Sequence, residues 1–146
     1  MSGAPAPSEQ ESNLAQVARP LEIGEHEGNP GLKLHHDEFF AADYEWRPAV
    51  SGFGAEVYRG KEGFIQWLAD LEAVSTVSVG EFEEIRPVSE TCVLALGRLR
   101  VVGKESGLAL DSEYGILVEM KGSRASRGRA FLSHAEAQEA AADAQA

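Results

Sequence analysis

The 146-residue sequence contains a single cysteine, Cys92, and no long apolar run. One cysteine excludes an internal disulfide, which is typical of a protein that folds in a reducing cytoplasm. The apolar segments are all interrupted by charges or glycines, well short of the roughly 18 consecutive apolar residues of a membrane-crossing helix. Residues 1–8 are rich in Pro, Ala and Ser and lack the pattern of a signal peptide. We therefore expect a cytoplasmic protein that does not span a membrane.

Positive charge is also scarce, because 13 Lys and Arg face 24 Asp and Glu, for a formal net charge of −11 at pH 7. Such a field repels nucleic-acid phosphates. One cluster of cations, Lys121, Arg124, Arg127 and Arg129, falls on a turn and a strand rather than on one helical face. Cations that guard a strand edge explain it better. We do not expect a nucleic-acid partner.

The common catalytic and cofactor motifs are missing: there is no Gly-rich phosphate loop, no G-x-S-x-G, no C-x-x-C and no H-E-x-x-H. His26, His35, His36 and His134 raise the question of a metal. Adjacent His35 and His36 diverge by about 100° on a helix, so they do not readily bind one ion together. We interpret the segment around the first three as a solvated polar stretch and expect no metal and no cofactor.

The first half of the chain predicts helices. We divide the sequence into a disordered leader at residues 1–8, one domain at 9–141 and a frayed tail at 142–146. A short first helix is predicted over 8–19, ended by Pro20, and a second over 32–42 after the Gly- and Pro-punctuated stretch 24–31. A brief strand at 44–46 and a loop at 52–54 follow. The clearest helix opens at residue 60, with apolar residues at helical spacing, and should end before residue 75.

The second half changes to strand-like patterns at 77–85, 92–102, 108–120 and 125–132, joined by short turns. Neighbouring runs should pair as antiparallel hairpins. A last helix follows Ser133, which forms an S-x-x-E capping box with Glu136. Helices followed by a long meander indicate an α+β domain.

Four segments resemble those of a known family: E-W-R-P at 45–48, Y-R-G-K-E-G at 58–63, A-L-G-R at 95–98, and the closing stretch 131–141. Their order and spacing over about residues 43–141 are similar to the SnoaL-like branch of the nuclear transport factor 2-like, or ketosteroid isomerase-like, superfamily. The resemblance implies a cone-shaped, curved antiparallel sheet packed with N-terminal helices, enclosing a cavity for a small, partly apolar molecule. It also implies a homodimer. The family usually begins with one longer helix, where this sequence has Pro20 and the stretch 24–31.

Ketosteroid isomerases themselves use residues that this chain lacks. The aspartate that precedes a proline on their first strand corresponds to Arg47, and no tyrosine precedes Tyr44 to match their oxyanion donor. Their second donor, a carboxylic acid on a long strand, corresponds to Gly115 in our alignment. The resemblance therefore implies the fold without that isomerase mechanism.

Two remaining carboxylates are candidate catalytic groups. Asp111 and Glu113 are two residues apart on one strand and so point to the same face. On a concave face, desolvation would raise the pKa of each and suit one for general acid or base catalysis. The alternation of Tyr114, Ile116 and Val118 instead favours a solvated face for the pair. Both readings stay open.

Candidate pocket-lining residues are aromatic or basic. An inward arginine would pair with a ligand carboxylate or orient a carbonyl, whereas an outward one would form cross-strand ion pairs. The aromatic residues would line a pocket or fill the core. The candidates are Trp46, Tyr58, Phe64, Trp67, Arg98, Tyr114 and Arg129.

Three functions follow from these patterns. The first is a SnoaL-like pocket protein of unassigned reaction that binds a small molecule. The second is a cofactor-independent cyclase, isomerase or hydrolase acting on a polyketide-like or terpenoid substrate. The third is a non-catalytic dimerisation or interaction module. An inward carboxylate or histidine would favour the enzyme, an apolar cavity simple binding, and a filled cavity the interaction module.

Overall fold

The computed structural model of the chain describes residues 9–49, 57–79 and 82–145. The predicted leader at 1–8 and loop at 52–54 lie outside these ranges. The elements are α1 (Glu9–Phe39), β1 (Phe40–Arg47), β2 (Tyr58–Arg59), α2 (Gly60–Val74), β3 (Ser75–Val79), β4 (Glu84–Pro87), β5 (Cys92–Gly103), β6 (Ala109–Lys121), β7 (Arg124–Phe131) and α3 (His134–Gln145). Helix α3 continues through Gln145. The fraying expected for residues 142–146 stays a prediction.

The N-terminal helix differs most from the prediction. The two short helices expected on either side of residues 24–31 are joined in α1, and Pro20 lies inside the helix rather than at its end. The chain departs from helical geometry at Gly28, with φ 69° and ψ −160°, a combination open essentially to glycine alone. Pro30 follows in the first turn after this kink, where its missing N–H is harmless. The helix end predicted at Pro20 is therefore wrong, whereas the kink at Gly28 lies within the stretch 24–31 that was predicted to separate two helices.

The sheet order is β2-β1-β7-β6-β5-β3, with β4 also paired to β5. Every neighbouring pair is antiparallel except β1 and β7, which are parallel. The α+β class and the curled, cone-like sheet are confirmed. The expectation of a wholly antiparallel sheet is corrected at this one ladder, because the chain crosses over through α2 and the meander before its last strand returns beside its first.

The predicted positions of the central helix, the meander strands and the last helix agree with the structure more closely. Helix α2 ends at Val74, where Ser75 turns extended and its hydroxyl donates to the carbonyl of Leu71 at 3.0 Å. The first predicted run, 77–85, is divided between β3 and β4, and the other three runs match β5, β6 and β7 within a few residues. Helix α3 begins after Ser133, whose Oγ accepts a hydrogen bond from the backbone N–H of Glu136 at 3.3 Å.

The sheet has two covered faces. Tyr114, Ile116 and Val118 of β6 are buried on the inner face, which α1 and α2 cover. On the outer face, α3 packs over β5, β6 and β7 in a smaller apolar cluster that includes Leu94, Phe131 and Ala137. Gly115 permits this contact, since a Cβ at that position would lie 2.6 Å from the Cβ of Ala137. Within the described residues, no helix has the length and apolar character needed to cross a membrane.

Candidate functional site

A cavity of about 400 Å³ lies between the inner face of the sheet and the two covering helices α1 and α2. Its volume is in the range of sites that bind small organic molecules. The sheet contributes residues from β1, β3, β6 and β7, and α1 contributes residues on both sides of the Gly28 kink. The kinked N-terminal helix is therefore one wall of the cavity.

Aromatic rings form much of the lining. Trp46 of β1 and Trp67 of α2 meet edge to face, with centroids 5.1 Å apart, and Phe64 lies 5.7 Å from Trp67. Phe40 continues the wall, at 5.4 Å from Phe64 and 4.7 Å from Tyr44. These spacings are those of favourable aromatic pairs, so the wall is closely packed and apolar.

Two tyrosines belong to this largely apolar lining, which also includes Gln16, Ser75 and Thr76. Tyr44 and Tyr114 are 2% and 6% exposed, and both line the cavity. Burial raises the pKa of both phenols, and the pKa of Tyr44 is raised further by the nearby Tyr114. Both are therefore protonated at neutral pH. The buried polar atoms without a hydrogen-bond partner among the described residues are instead Nε1 of Trp46 and the two ring nitrogens of His36.

The position of Tyr44 depends on Gly128 of β7. Gly128 lies opposite Trp46 in the β1–β7 ladder and opposite Val118 in the β6–β7 ladder. A Cβ on Gly128 would collide with the Tyr44 hydroxyl oxygen and would lie 2.9 Å from Cε3 of Trp46. The absence of a side chain at this position thus makes room for both rings at the sheet surface.

His36 lies directly behind the aromatic wall and is 1% exposed. Its ring stacks on Phe40, with centroids 4.6 Å apart, and lies 5.3 Å from Phe64. Neither ring nitrogen has a hydrogen-bond partner within the described ranges, although Nδ1 is 3.7 Å from Oδ1 of Asp37. Burial lowers the pKa of His36, and Asp37 opposes that effect. We predicted a solvated histidine here, which is wrong for His36.

Charge is confined to the rim. The charged side chains of the cavity lining are those of Glu72 and Lys104, both on exposed residues. The Lys104 ammonium donates to the backbone carbonyl of Glu72. Among the described residues no cluster of three or more His, Cys, Asp or Glu is placed to hold a metal ion.

Four of the seven predicted pocket residues line the cavity: Trp46, Phe64, Trp67 and Tyr114. Tyr58 is buried but does not line it, and its hydroxyl donates to Oδ2 of Asp70 at 3.2 Å. Arg98 and Arg129 lie on the outer face because of strand alternation. Arg98 is exposed opposite Glu113, and the Arg129 guanidinium lies 4.8 Å from the centre of the Phe131 ring.

Asp111 and Glu113 are also on the outer face, since Tyr114 takes the inner position on β6. Asp111 is exposed and accepts from Nη1 of Arg100 at 3.3 Å. Glu113 accepts from the backbone N–H of His134 at 3.0 Å, at the first turn of α3. The catalytic role suggested for this pair stays a prediction, and any such site would lie outside the cavity.

Sequence reasoning missed Tyr44, Phe40 and His36. Tyr44 is two residues from Trp46 on one strand, so the two share a face, and this signal was available. His36 and Phe40 follow Leu32 at intervals of four, the spacing of one helical face. Gly115, which we aligned with the carboxylic acid of ketosteroid isomerases, faces α3, so a side chain there would not reach the cavity.

Comparison with protein-family models finds no match, and neither does comparison with curated proteins. Solved structures do match. A SnoaL-like polyketide cyclase, so described provisionally, from Jannaschia sp. CCS1 is 18% identical with a TM-score of 0.70, covering 95% of this chain and 96% of that one. An NTF2-like protein of unknown function from Burkholderia pseudomallei is 17% identical with a TM-score of 0.68, covering 86% and 93%.

A third similar structure is TerC, co-crystallised with polyporic acid, at 15% identity and a TM-score of 0.68, covering 90% of this chain and 98% of TerC. Likeness at such low identity establishes the fold and leaves the function to the site. The element order, the curled sheet and these matches agree. The chain therefore has the cone-shaped α+β fold of nuclear transport factor 2-like proteins, as the resemblance over residues 43–141 implied.

Proposed function

We propose that the protein binds a small, largely apolar, ring-containing molecule in the inner cavity. The observation that carries the proposal is the aromatic wall around a cavity of about 400 Å³, with charge only at its rim. A charged group moved into such surroundings loses its hydration without a partner among the described lining residues. An uncharged ring system instead gains contact with Phe40, Phe64 and the two tryptophans.

The similar structures support this proposal by their descriptions. One is described as a polyketide cyclase and another is crystallised with polyporic acid. For this chain we propose binding and no particular reaction, because the described lining presents no carboxylate or histidine inside the rim. The cyclase, isomerase or hydrolase alternative stays a prediction.

Tryptophan fluorescence provides the test. The sequence has two tryptophans, and both line the cavity, so a bound ring compound should quench them. We expect fluorene and 9-fluorenone, two rigid tricyclic probes, to quench in a saturable manner. Ala125→Leu, which fills the lining at a buried position, should weaken binding at least about tenfold, since it removes space for the probe.

The matched control is Ala135→Leu on the exposed side of α3, which should leave binding unchanged. Circular dichroism would establish that both variants fold. The proposal fails if neither probe quenches the wild-type protein, or if Ala125→Leu binds both probes as the wild type does.

We further propose that the protein acts in the cytoplasm as a homodimer. The burial of Cys92 supports a reducing location, since a buried lone thiol has no disulfide partner.

The dimer is supported by two exposed leucines near the β5–β6 turn, which would contact a second copy. They are Leu108, 77% exposed, and Leu110, 47% exposed. Light scattering of the full chain should give twice the 15.7 kDa of one copy. A mass of one copy at working concentration would contradict the dimer.

A further inference from the structure

We propose that a second binding site lies on the outer face of the sheet, where Arg47 and Arg129 together bind the carboxylate of a small organic acid. A pocket of about 170 Å³ lies at this place, lined by residues of β1, β5, β6 and β7 and by Ala144 in the last turn of α3. The site is separate from the inner cavity, and the proposal does not depend on what that cavity binds.

The outer face carries two rows of side chains here, each running across β1, β7 and β6. In the first row Glu45 is opposite Arg127, and Arg127 is opposite Glu119. Nε of Arg127 lies 3.6 Å from Oε2 of Glu45, and its Nη1 lies 4.0 Å from Oε2 of Glu119. Arg127 therefore has a carboxylate on each side.

The second row has no carboxylate. Arg47 is opposite Arg129, and Arg129 is opposite Leu117. Paired residues on neighbouring strands are about 4.8 Å apart, and like charges directly opposite each other destabilise a sheet. Among the described residues neither arginine forms an ion pair or a hydrogen bond, although the Arg129 guanidinium lies 4.8 Å from the centre of the Phe131 ring. An anion between the two guanidiniums would supply the missing negative charge.

The fold itself does not explain these arginines. The sequence suggested that Arg127 and Arg129 guard a strand edge, but β7 lies between β1 and β6 and is hydrogen-bonded on both sides. A strand inside a sheet has no open edge to protect, so that explanation is wrong for both residues. Ion pairing with Glu45 and Glu119 accounts for Arg127, whereas the pair of Arg47 and Arg129 needs another reason.

The lining of this outer pocket indicates the class of ligand. A guanidinium presents forked N–H donors that match the two oxygens of a carboxylate. The described lining holds three arginines and two glutamates, and the one excess positive charge suits a monoanion. Cys92, Leu117 and Ala144 add an apolar wall for a short hydrocarbon body. The volume is below that of sites for drug-sized molecules, so we expect a small monocarboxylate.

Benzoate and benzamide form a matched pair for the test, because they share a shape and differ in charge. In nuclear magnetic resonance spectra of the ¹⁵N-labelled full chain, benzoate should shift the amide signals of Arg47 and Arg129 in a saturable manner. We expect benzamide to bind at least about fivefold more weakly, since it lacks the charge that strengthens hydrogen bonds to arginine. Added chloride should weaken benzoate binding by screening the site.

Arg47→Gln and Arg129→Gln should each weaken benzoate binding at least about fivefold. Neither should lower the melting temperature of the ligand-free protein, because each removes a like-charge repulsion. A purely structural role for the arginines would instead lower it. Arg98→Gln is the matched control, since Arg98 is exposed on the same face of the sheet and does not line the pocket. This variant should bind benzoate as the wild type does.

Three results would overturn the proposal. They are the absence of a saturable shift with benzoate, equal affinities for benzoate and benzamide, and unchanged benzoate binding in both Arg47→Gln and Arg129→Gln. The last result would also be found if benzoate entered the inner cavity, where it should quench the tryptophans. The inner cavity is tested with other probes, so failure of the outer site leaves the proposed function untouched, and the converse also holds.

Discussion

The hydroxyl of Tyr44 occupies the space that a side chain at position 128 would take. The two residues are more than 80 positions apart, and the parallel pairing of β1 with β7 brings them together. The same absence of a side chain accommodates the ring of Trp46. One glycine on the last strand therefore shapes the aromatic lining supplied by the first.

Gly128→Ala should displace the Tyr44 phenol and strain the Trp46 ring. We expect the free energy of unfolding to fall by about 1–3 kcal/mol, as in other overpacked cores. Urea denaturation followed by circular dichroism would measure it. In the fluorescence titration the binding of both probes should also weaken, because the displaced Tyr44 ring lines the cavity. A variant as stable as the wild type with unchanged probe binding would show that Tyr44 relaxes without consequence.

The kink in α1 predicts opposite effects at two of its glycines. Gly28 has φ 69° and ψ −160°, so Gly28→Ala should lower stability by about 1–3 kcal/mol. Gly24 is helical, and a Cβ there would meet Leu32 at an ordinary 3.4 Å. Gly24→Ala should therefore raise stability by up to about 1 kcal/mol. Thermal melts of both variants would reveal the difference, and equal effects would argue against the kink.

The sequence predicted the fold best in α2 and in the strands of the meander. Phe64, Leu68 and Leu71 recur at helical spacing and are buried, so pattern and packing agree. In α1 the local signals misled, because Pro20 usually ends a helix but here lies inside one. Packing of α1 over the cavity outweighed that local preference. The parallel β1–β7 pairing has no local signal at all, since it joins distant strands.

His36 predicts a specific loss of stability in acid. Its pKa is lowered in the folded protein by burial, while the unfolded chain has the ordinary value of 6.5. As pH falls below about 6.5 the unfolded state binds the proton first, so folding stability decreases. His36→Leu, which keeps an apolar group behind Phe40, should lose less stability than the wild type between about pH 8 and pH 5. Urea unfolding at several pH values would measure the slopes.

Exposed His26 gives the control for this titration. His26→Gln should keep the wild-type dependence of unfolding free energy on pH. Parallel curves for the wild type and His36→Leu would show that another group is responsible for the acid loss.

Glu113 should matter for the stability of α3 rather than for the cavity. Its carboxylate accepts from the backbone N–H of His134 at the positive end of that helix. Glu113→Ala should lower stability by about 0.5–2 kcal/mol, as the loss of a helix cap does. Asp111→Ala, which removes an exposed ion pair with Arg100, should have an effect within about 1 kcal/mol. Neither should change probe binding, and weaker binding in either variant would show that this outer-face pair influences the cavity.

The candidate site was predictable in part. Trp46, Phe64, Trp67 and Tyr114 were predicted because aromatic side chains commonly line ligand pockets. The residue type alone did not tell whether Arg98 and Arg129 face the cavity or the outside. Strand alternation and pairing decide the face of the sheet on which each arginine lies. The space that the Tyr44 hydroxyl occupies was not predictable, because Gly128 lies far along the chain and becomes adjacent only in the sheet.

The parallel ladder between β1 and β7 also sets when the cavity can exist. Its register pairs residue 46 with residue 128, so the wall is incomplete until the ribosome has delivered nearly the entire domain. Long-range pairings of this kind form slowly, because the chain must first close a large loop. Until β7 pairs with β1, the aromatic faces of β1 and α2 lack part of their packing. The nascent chain therefore buries these side chains only late in folding.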